Sequence, residues 1–247
     1  MRPLALISHL KDRDVGLVGA AMASVDLDVW EVDTLSGDTL PLVSEVSGIV
    51  SFGGQQSVTA LSKEPALVRE VALLRDALHA STPIFGVCLG AQLLAHAAGG
   101  SVIRLDELFA DWPLLQRLPA IEGDPVFGGF PHDVPVLEWH RDAIIPPPDA
   151  AILADTSGPG CSVFRVGRYA WGSQPHIEAD PQGFNHWVSD SVDRTSLLAG
   201  GYDPDVFRTT GMRCLSAQGA AAGPVFERFA CLVQEIELSR ISTVVKG

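Results

Sequence analysis

Positive charge is scarce in this chain: 17 Lys and Arg stand against 30 Asp and Glu, a formal net charge of −13 over 247 residues. Binding to nucleic acid or to an anionic membrane relies on Lys and Arg to neutralise phosphates, so neither partner is expected. Cysteine is scarce too, and the four present, at 88, 161, 214 and 231, form no close pair and no C-x-x-C spacing. Neither a disulfide framework nor a zinc site is indicated, and a reducing cytoplasm is the default compartment. There is no internal repeat, no low-complexity tract and no secretory apolar core, since Lys11, Arg13 and Asp14 interrupt the first apolar run. The one uncharged stretch of membrane length, 80 to 103, contains Pro83 and four glycines. A strand, a turn and a helix explain those residues better than a spanning segment does.

Hydrophobic residues make up 47% and charged residues 19%, as in a globular protein whose length can support one domain over 1–247. Through the first half, short apolar runs at Leu4 to Ser8, Leu27 to Val32, Gly48 to Phe52 and Ile84 to Val87 alternate with helix-like segments at Val15 to Met22 and Ala66 to His79. That alternation predicts an α/β fold with a mostly parallel central sheet and helices on both faces. After Ile103, Pro- and Gly-rich pieces separate short β-like runs beginning near Val136, Ala151 and Ser162, which predicts added antiparallel strands. Residues 181 to 212 show no clear pattern, and 220 to 238 reads as a closing helix with Pro224 near its start.

The most informative segment is Gly86-Val87-Cys88-Leu89-Gly90, between an apolar run and the helix-like stretch 91–98 that Gly99-Gly100 stops. A cysteine on such a turn projects into a cleft only if small residues flank it, and the helix N-terminus beyond favours an anionic sulfur. The competing reading is a buried thiol, the commonest place for a free cysteine. Two further stretches bear on the choice. In Gln174-Pro175-His176-Ile177-Glu178, which follows a strand-like segment, an extended chain would put His176 and Glu178 on one side, a base beside a group that orients it. Gly53-Gly54 ends another apolar run, where it is either a plain turn or, with Leu89, a source of backbone N–H donors for an oxyanion.

Taken in order, Gly53-Gly54-Gln55, Gly86-Val87-Cys88-Leu89-Gly90-Ala91-Gln92 and His176-Ile177-Glu178 resemble the motifs of the class I glutamine amidotransferases, which carry Gly-Gly-Pro, Gly-x-Cys-x-Gly-x-Gln and His-Pro-Glu. The resemblance spans about residues 1 to 200 and is greatest to free-standing members related to the amidotransferase domain of GMP synthase. It implies a flavodoxin-like fold and a Cys88-His176-Glu178 triad with an oxyanion hole at Gly53, Gly54 and Leu89. It also implies glutamine contacts from Gln92 and from Trp139 and His140, which stand in a His-x-Asp stretch. Gln55, Pro175 and Ile177 depart from the family pattern close to the substrate without removing a reacting group.

The expected activity is hydrolysis of the glutamine side-chain amide through a γ-glutamyl thioester, with no metal or organic cofactor required. The chain shows no Gly-rich phosphate loop, so any ammonia-accepting synthase would be a separate subunit. Two alternatives are a γ-glutamyl hydrolase acting on another amide and a non-catalytic regulatory subunit that keeps the fold. His9, His79, His96, His132 and His186 lack metal-ligand spacing and are expected to be surface or satisfied core residues.

Overall fold

Leu4–His9 forms the first strand, β1, and its side chains alternate between two cores: Leu4 and Leu6 join one, Ala5 and Ile7 the other. A strand inside a parallel sheet is buried on both faces, which is why such strands read as unbroken apolar runs. The computed structural model describes residues 1–10, 15–25 and 27–245; Lys11, Arg13 and Asp14, whose charges interrupt the first apolar run, lie outside them. In chain order the further elements begin with α1 (Gly16–Ser24), β2 (Val29–Asp33), β3 (Gly48–Gly54), α2 (Pro65–His79), β4 (Ile84–Val87) and α3 (Leu89–Ala97). Next come the strands β5 (Ser101–Asp111), β6 (Leu114–Arg117), β7 (Val134–Pro135), β8 (Glu138–Ile145), β9 (Ala151–Asp155), β10 (Val163–Val166) and β11 (Ala170–Ser173). Three helices close the chain: α4 (Pro181–Ser189), α5 (Ser191–Ala199) and α6 (Pro204–Val245).

Among the described residues, nine strands form one sheet in the order β2-β1-β3-β4-β11-β10-β9-β6-β7, and β5 pairs with β8 apart from it. The block from β2 to β11 is parallel, and β10, β9, β6 and β7 extend it antiparallel. The expected α/β architecture forms: α1 and α6 cover one face, α2 and α3 the other. On the α6 side, Phe85 packs against Phe127, Phe226 and Phe229 at ring distances of 5.9, 5.0 and 5.4 Å. No helix of the described residues is long and apolar enough to cross a membrane.

Three local differences from the sequence reading have physical causes. The closing helix is not confined to 220–238; α6 runs from Pro204 to Val245 with Pro224 inside it. An internal proline costs about 3 kcal/mol through its missing N–H and its ring. Phe226 and Phe229 on the same helix are fully buried, and each contributes about 1.5–3 kcal/mol, enough to offset that cost. The strand expected from Val136 starts at Glu138, because the Leu137 N–H donates to Gln218 Oε1 at 2.8 Å instead of to a ladder. Residues 181 to 212 fold as α4, α5 and the first turns of α6, with Asp180 capping Gly183 N at 2.7 Å and Asp190 capping Val192 N at 2.8 Å.

Candidate active site

Open α/β sheets bind ligands beyond the carboxyl ends of their strands. The residues singled out in the sequence gather there: β3 ends in Gly53-Gly54, β4 runs into Cys88, and β11 leads to His176. Cys88 takes φ +50° and ψ −107° at the N-terminus of α3, a left-handed conformation that costs a residue with a Cβ about 1–3 kcal/mol. Its neighbours hold it there, with the Cys88 N–H donating to Ser173 O at 2.8 Å and its carbonyl accepting from Gln92 N at 2.9 Å. A Cβ at Gly86 would lie 2.6 Å from the Gly90 carbonyl oxygen, and one at Gly90 would overlap the Ser51 carbonyl. Only glycine lets strand, turn and helix approach this closely.

Beyond β11 the chain turns. His176 N donates to Leu137 O at 2.7 Å and Ala179 N to His176 O at 3.3 Å, so His176 and Glu178 lie in a turn and not in an extended segment. The turn brings them together all the same, with Nδ1 2.9 Å from Glu178 Oε1. Nδ1–H donates to that carboxylate, which is buried, while the ring is 12% exposed and lies beside Cys88. Gln174 Nε2 approaches the sulfur at 3.6 Å, and Trp187 meets the His176 ring edge-on at 5.4 Å. Gly53 closes the far side of this pair, where a Cβ would come within 2.7 Å of His176 Cε1. At Gly54 a Cβ would reach within 2.9 Å of Leu89 Cδ2, so the glycine loop and the first turn of α3 meet beside Cys88.

Burial works against charge on the His176 ring, but the neighbouring Cys88 sulfur and Glu178 carboxyl outweigh it and push the imidazole up to about 10. For a base raised in the folded state, the stabilisation is complete below its ordinary value of 6.5 and is lost as pH rises through about 10. The alkaline limb of kcat/KM for any reaction that needs the protonated ring is therefore expected near pH 10. A pH–rate profile of the purified protein checks this. A limb near the ordinary value of 6.5 would show that the ring is not held as an imidazolium beside the sulfur.

A cavity of about 310 Å³ opens over the sulfur, and Cys88, His176, Gly54, Gln92, Trp139 and His140 are among the residues lining it. That is within the range of small-molecule sites. The polar groups expected at the substrate are largely committed to the wall. Gln92 Nε2 donates to Asp142 O at 3.2 Å and to Gln174 Oε1 at 3.1 Å, and His140 spans Asp142 O at 2.9 Å and Glu138 Oε2 at 3.0 Å.

Several residues of the site carried no sequence signal. Arg104 is half exposed over the cavity with Nη1 3.0 Å from Asp142 Oδ1. Asp193 of α5 accepts from Gln55 Nε2 at 3.1 Å; burial pushes its carboxyl up and the Gln55 bond opposes that shift. Gln218 of α6 pins the backbone on both sides, accepting from Leu137 N at 2.8 Å and donating to His176 O at 3.1 Å. Among the described residues, no group of His, Cys, Asp and Glu is arranged to hold a metal ion.

Residues 18–193 match the family model described as glutamine amidotransferase class-I. A glutamine amidotransferase-like protein of Salmonella typhimurium is 28% identical over 148 residues, which are 58% of this chain and 62% of that protein. A subunit of the glutamine-hydrolyzing GMP synthase of Thermoplasma acidophilum is 33% identical over 103 residues, 40% of this chain and 48% of that one. The chain thus spans between about half and two thirds of the length of these relatives. The crystal structure of a glutamine amidotransferase from Thermotoga maritima superposes with a TM-score of 0.81 at 25% identity, covering 93% of this chain and 98% of that one.

Proposed function

The chain belongs to the class I glutamine amidotransferases, and on that premise we propose that Cys88, His176 and Glu178 hydrolyse the side-chain amide of glutamine. The sulfur attacks the γ-carbonyl carbon, and the C=O electrons move onto oxygen. Backbone N–H groups of the Gly53-Gly54 loop and of Leu89 at the start of α3 stabilise that oxyanion. The imidazolium passes its proton to the leaving nitrogen, ammonia departs, and a γ-glutamyl thioester remains. His176, now neutral, takes a proton from water as the water attacks the thioester, and glutamate leaves with the thiolate restored. Glu178 keeps Nδ1 protonated and the ring aligned throughout.

One observation carries this reading: a cysteine in a left-handed turn at a helix N-terminus, beside a histidine whose Nδ1 is 2.9 Å from a buried carboxylate. Gln92, Trp139 and His140 then act as the cavity wall that shapes the glutamine site. A second reading, hydrolysis of a larger γ-glutamyl amide, draws support from the Gln55–Asp193 bond at the cavity, where the family pattern has proline at position 55. A thiol nucleophile requires reducing conditions, which supports a cytoplasmic setting for the reaction.

The test is release of glutamate and ammonia from glutamine and from a panel of γ-glutamyl amides. The Thermoplasma relative is named as part of a synthase, and a dedicated subunit benefits from activating only when docked, because free ammonia is mostly protonated at neutral pH. If this chain is such a subunit, its slow release of glutamate rises when extract of its source cells and ATP are added. A fast, unchanged rate marks a self-sufficient hydrolase, and no turnover with any amide marks a non-catalytic subunit.

A further inference from the structure

Behind the glycine loop lies a buried polar cluster that the proposed chemistry does not use. His9, Ser51 and Glu70 are each fully buried. His9 Nε2 lies 2.6 Å from Glu70 Oε2, Ser51 Oγ donates to Glu70 Oε1 at 2.6 Å, and His9 Nδ1 lies 3.0 Å from the carbonyl oxygen of Phe52. A carbonyl oxygen only accepts, so Nδ1 must carry hydrogen, and Glu70 at Nε2 holds the ring in that orientation. A buried pair of titratable side chains is seldom the most stable filling of such a space, since apolar residues of similar volume often do as well or better. Its placement calls for another explanation.

We propose that the His9–Glu70 pair, steadied by Ser51, is a positioning device that sets the backbone direction of the Gly53-Gly54 loop beside Cys88. The peptide unit joining Phe52 to Gly53 is planar and trans, so fixing the Phe52 oxygen fixes where the Gly53 N–H points and from what direction Gly54 follows. Gly54 is wedged directly between this cluster and α3: a Cβ there would come 2.5 Å from His9 Cβ and 2.9 Å from Leu89 Cδ2. The same cluster touches the elbow helix, because a Cβ at Gly90 would lie 2.6 Å from Ser51 Oγ. Both sources of oxyanion donors thus rest on one buried network. None of the three residues lines the cavity, so they act through the loop and not on the substrate.

This inference rests on the hydrolytic reading, and two histidine replacements separate it from a purely structural role. Asparagine at position 9 puts an amide N–H near the place of Nδ1 and keeps the bond to Phe52, but abandons Glu70. Glutamine puts its amide near the place of Nε2, keeps Glu70 company and abandons Phe52. His9→Gln is therefore expected to lower kcat by about 10²-fold and His9→Asn by less than about tenfold, both with KM for glutamine within about threefold of wild type. Stability should run the other way, with His9→Asn the lower melting, because it strands a buried carboxylate. If kcat follows melting temperature in the two variants, or if KM rises in step with the loss, the cluster is structural and the inference fails.

Should neither variant fold, Glu70→Gln and Glu70→Leu carry the test. Glutamine can donate to Nε2 and accept from Ser51, which keeps kcat within about threefold, whereas leucine frees the ring to turn and lowers kcat by about tenfold or more. Equal kcat in the two overturns the inference. A wild-type chain without turnover, or one whose turnover survives Cys88→Ser, removes the hydrolytic reading itself and this inference with it.

Discussion

Replacing Cys88 by alanine or serine is expected to abolish glutamate release, a fall of about 10⁴-fold or more, while the protein keeps its fold. Alanine removes the nucleophile. Serine keeps a hydroxyl of nearly the same size, but an alcohol holds its proton far more tightly than a thiol and so is a far weaker nucleophile at the same place. The fold should survive because neither replacement is larger than cysteine and position 88 is held by backbone bonds to Ser173 and Gln92 that any residue other than proline can make.

Cys88→Gly adds a second, independent readout. Glycine meets no penalty at φ +50°, so this variant should unfold at a temperature no lower than Cys88→Ala, even though glycine elsewhere lowers stability by about 0.5–1 kcal/mol. Thermal unfolding of the three variants beside a glutamate-release assay measures both effects. Cys161, whose thiol burial pushes up to about 12 with Asp155 adding to the shift, stays unreactive toward limiting iodoacetamide under the same conditions. Turnover that survives in Cys88→Ala would place the chemistry on another residue.

His176→Ala is expected to cost nearly as much, about 10³- to 10⁴-fold in kcat, and Glu178→Gln distinctly less, about 10- to 100-fold. Removing the ring takes away both the proton for the leaving ammonia and the base for the second step. The amide of glutamine still accepts from Nδ1–H across the 2.9 Å gap that Glu178 spans, but it no longer stabilises the imidazolium. The pH profile separates this account from mere loosening of the turn. Without the Glu178 charge, one of the causes that raise His176 is gone, so the alkaline limb of Glu178→Gln should move below the wild-type limb. Equal activity in both variants and wild type would make the pair structural, and an unmoved limb in Glu178→Gln would mean that the carboxylate does not set the charge of the ring.

Much of this is legible in one dimension. The family and the α/β class follow from three short motifs and from the alternation of apolar runs with helical ones, because parallel strands buried on both faces leave an unbroken apolar signature and an elbow needs its glycines at fixed offsets. The closing helix is longer than its sequence suggests because Pro224 marks a boundary in local terms, while burial of Phe226 and Phe229 against the sheet decides otherwise. The segment from 181 to 212 is unreadable for the opposite reason. Asp180 and Asp190 are good caps, but Leu197 is the one residue of α5 that is buried, so the apolar periodicity that marks a helix is nearly absent.

The sequence by itself determined the order of the motifs, and with it the strand ends from which Gly54, Cys88 and His176 emerge; short-range spacing can encode a turn, a cap or a flanking glycine. Only the tertiary structure decided what surrounds them. Asp193, Gln218 and Glu70 reach Gln55, His176 and His9 across 138, 42 and 61 residues. A hydrogen bond between residues so far apart leaves no periodic trace along the chain. It exists only because the sheet and its helices bring those atoms to within about 3 Å.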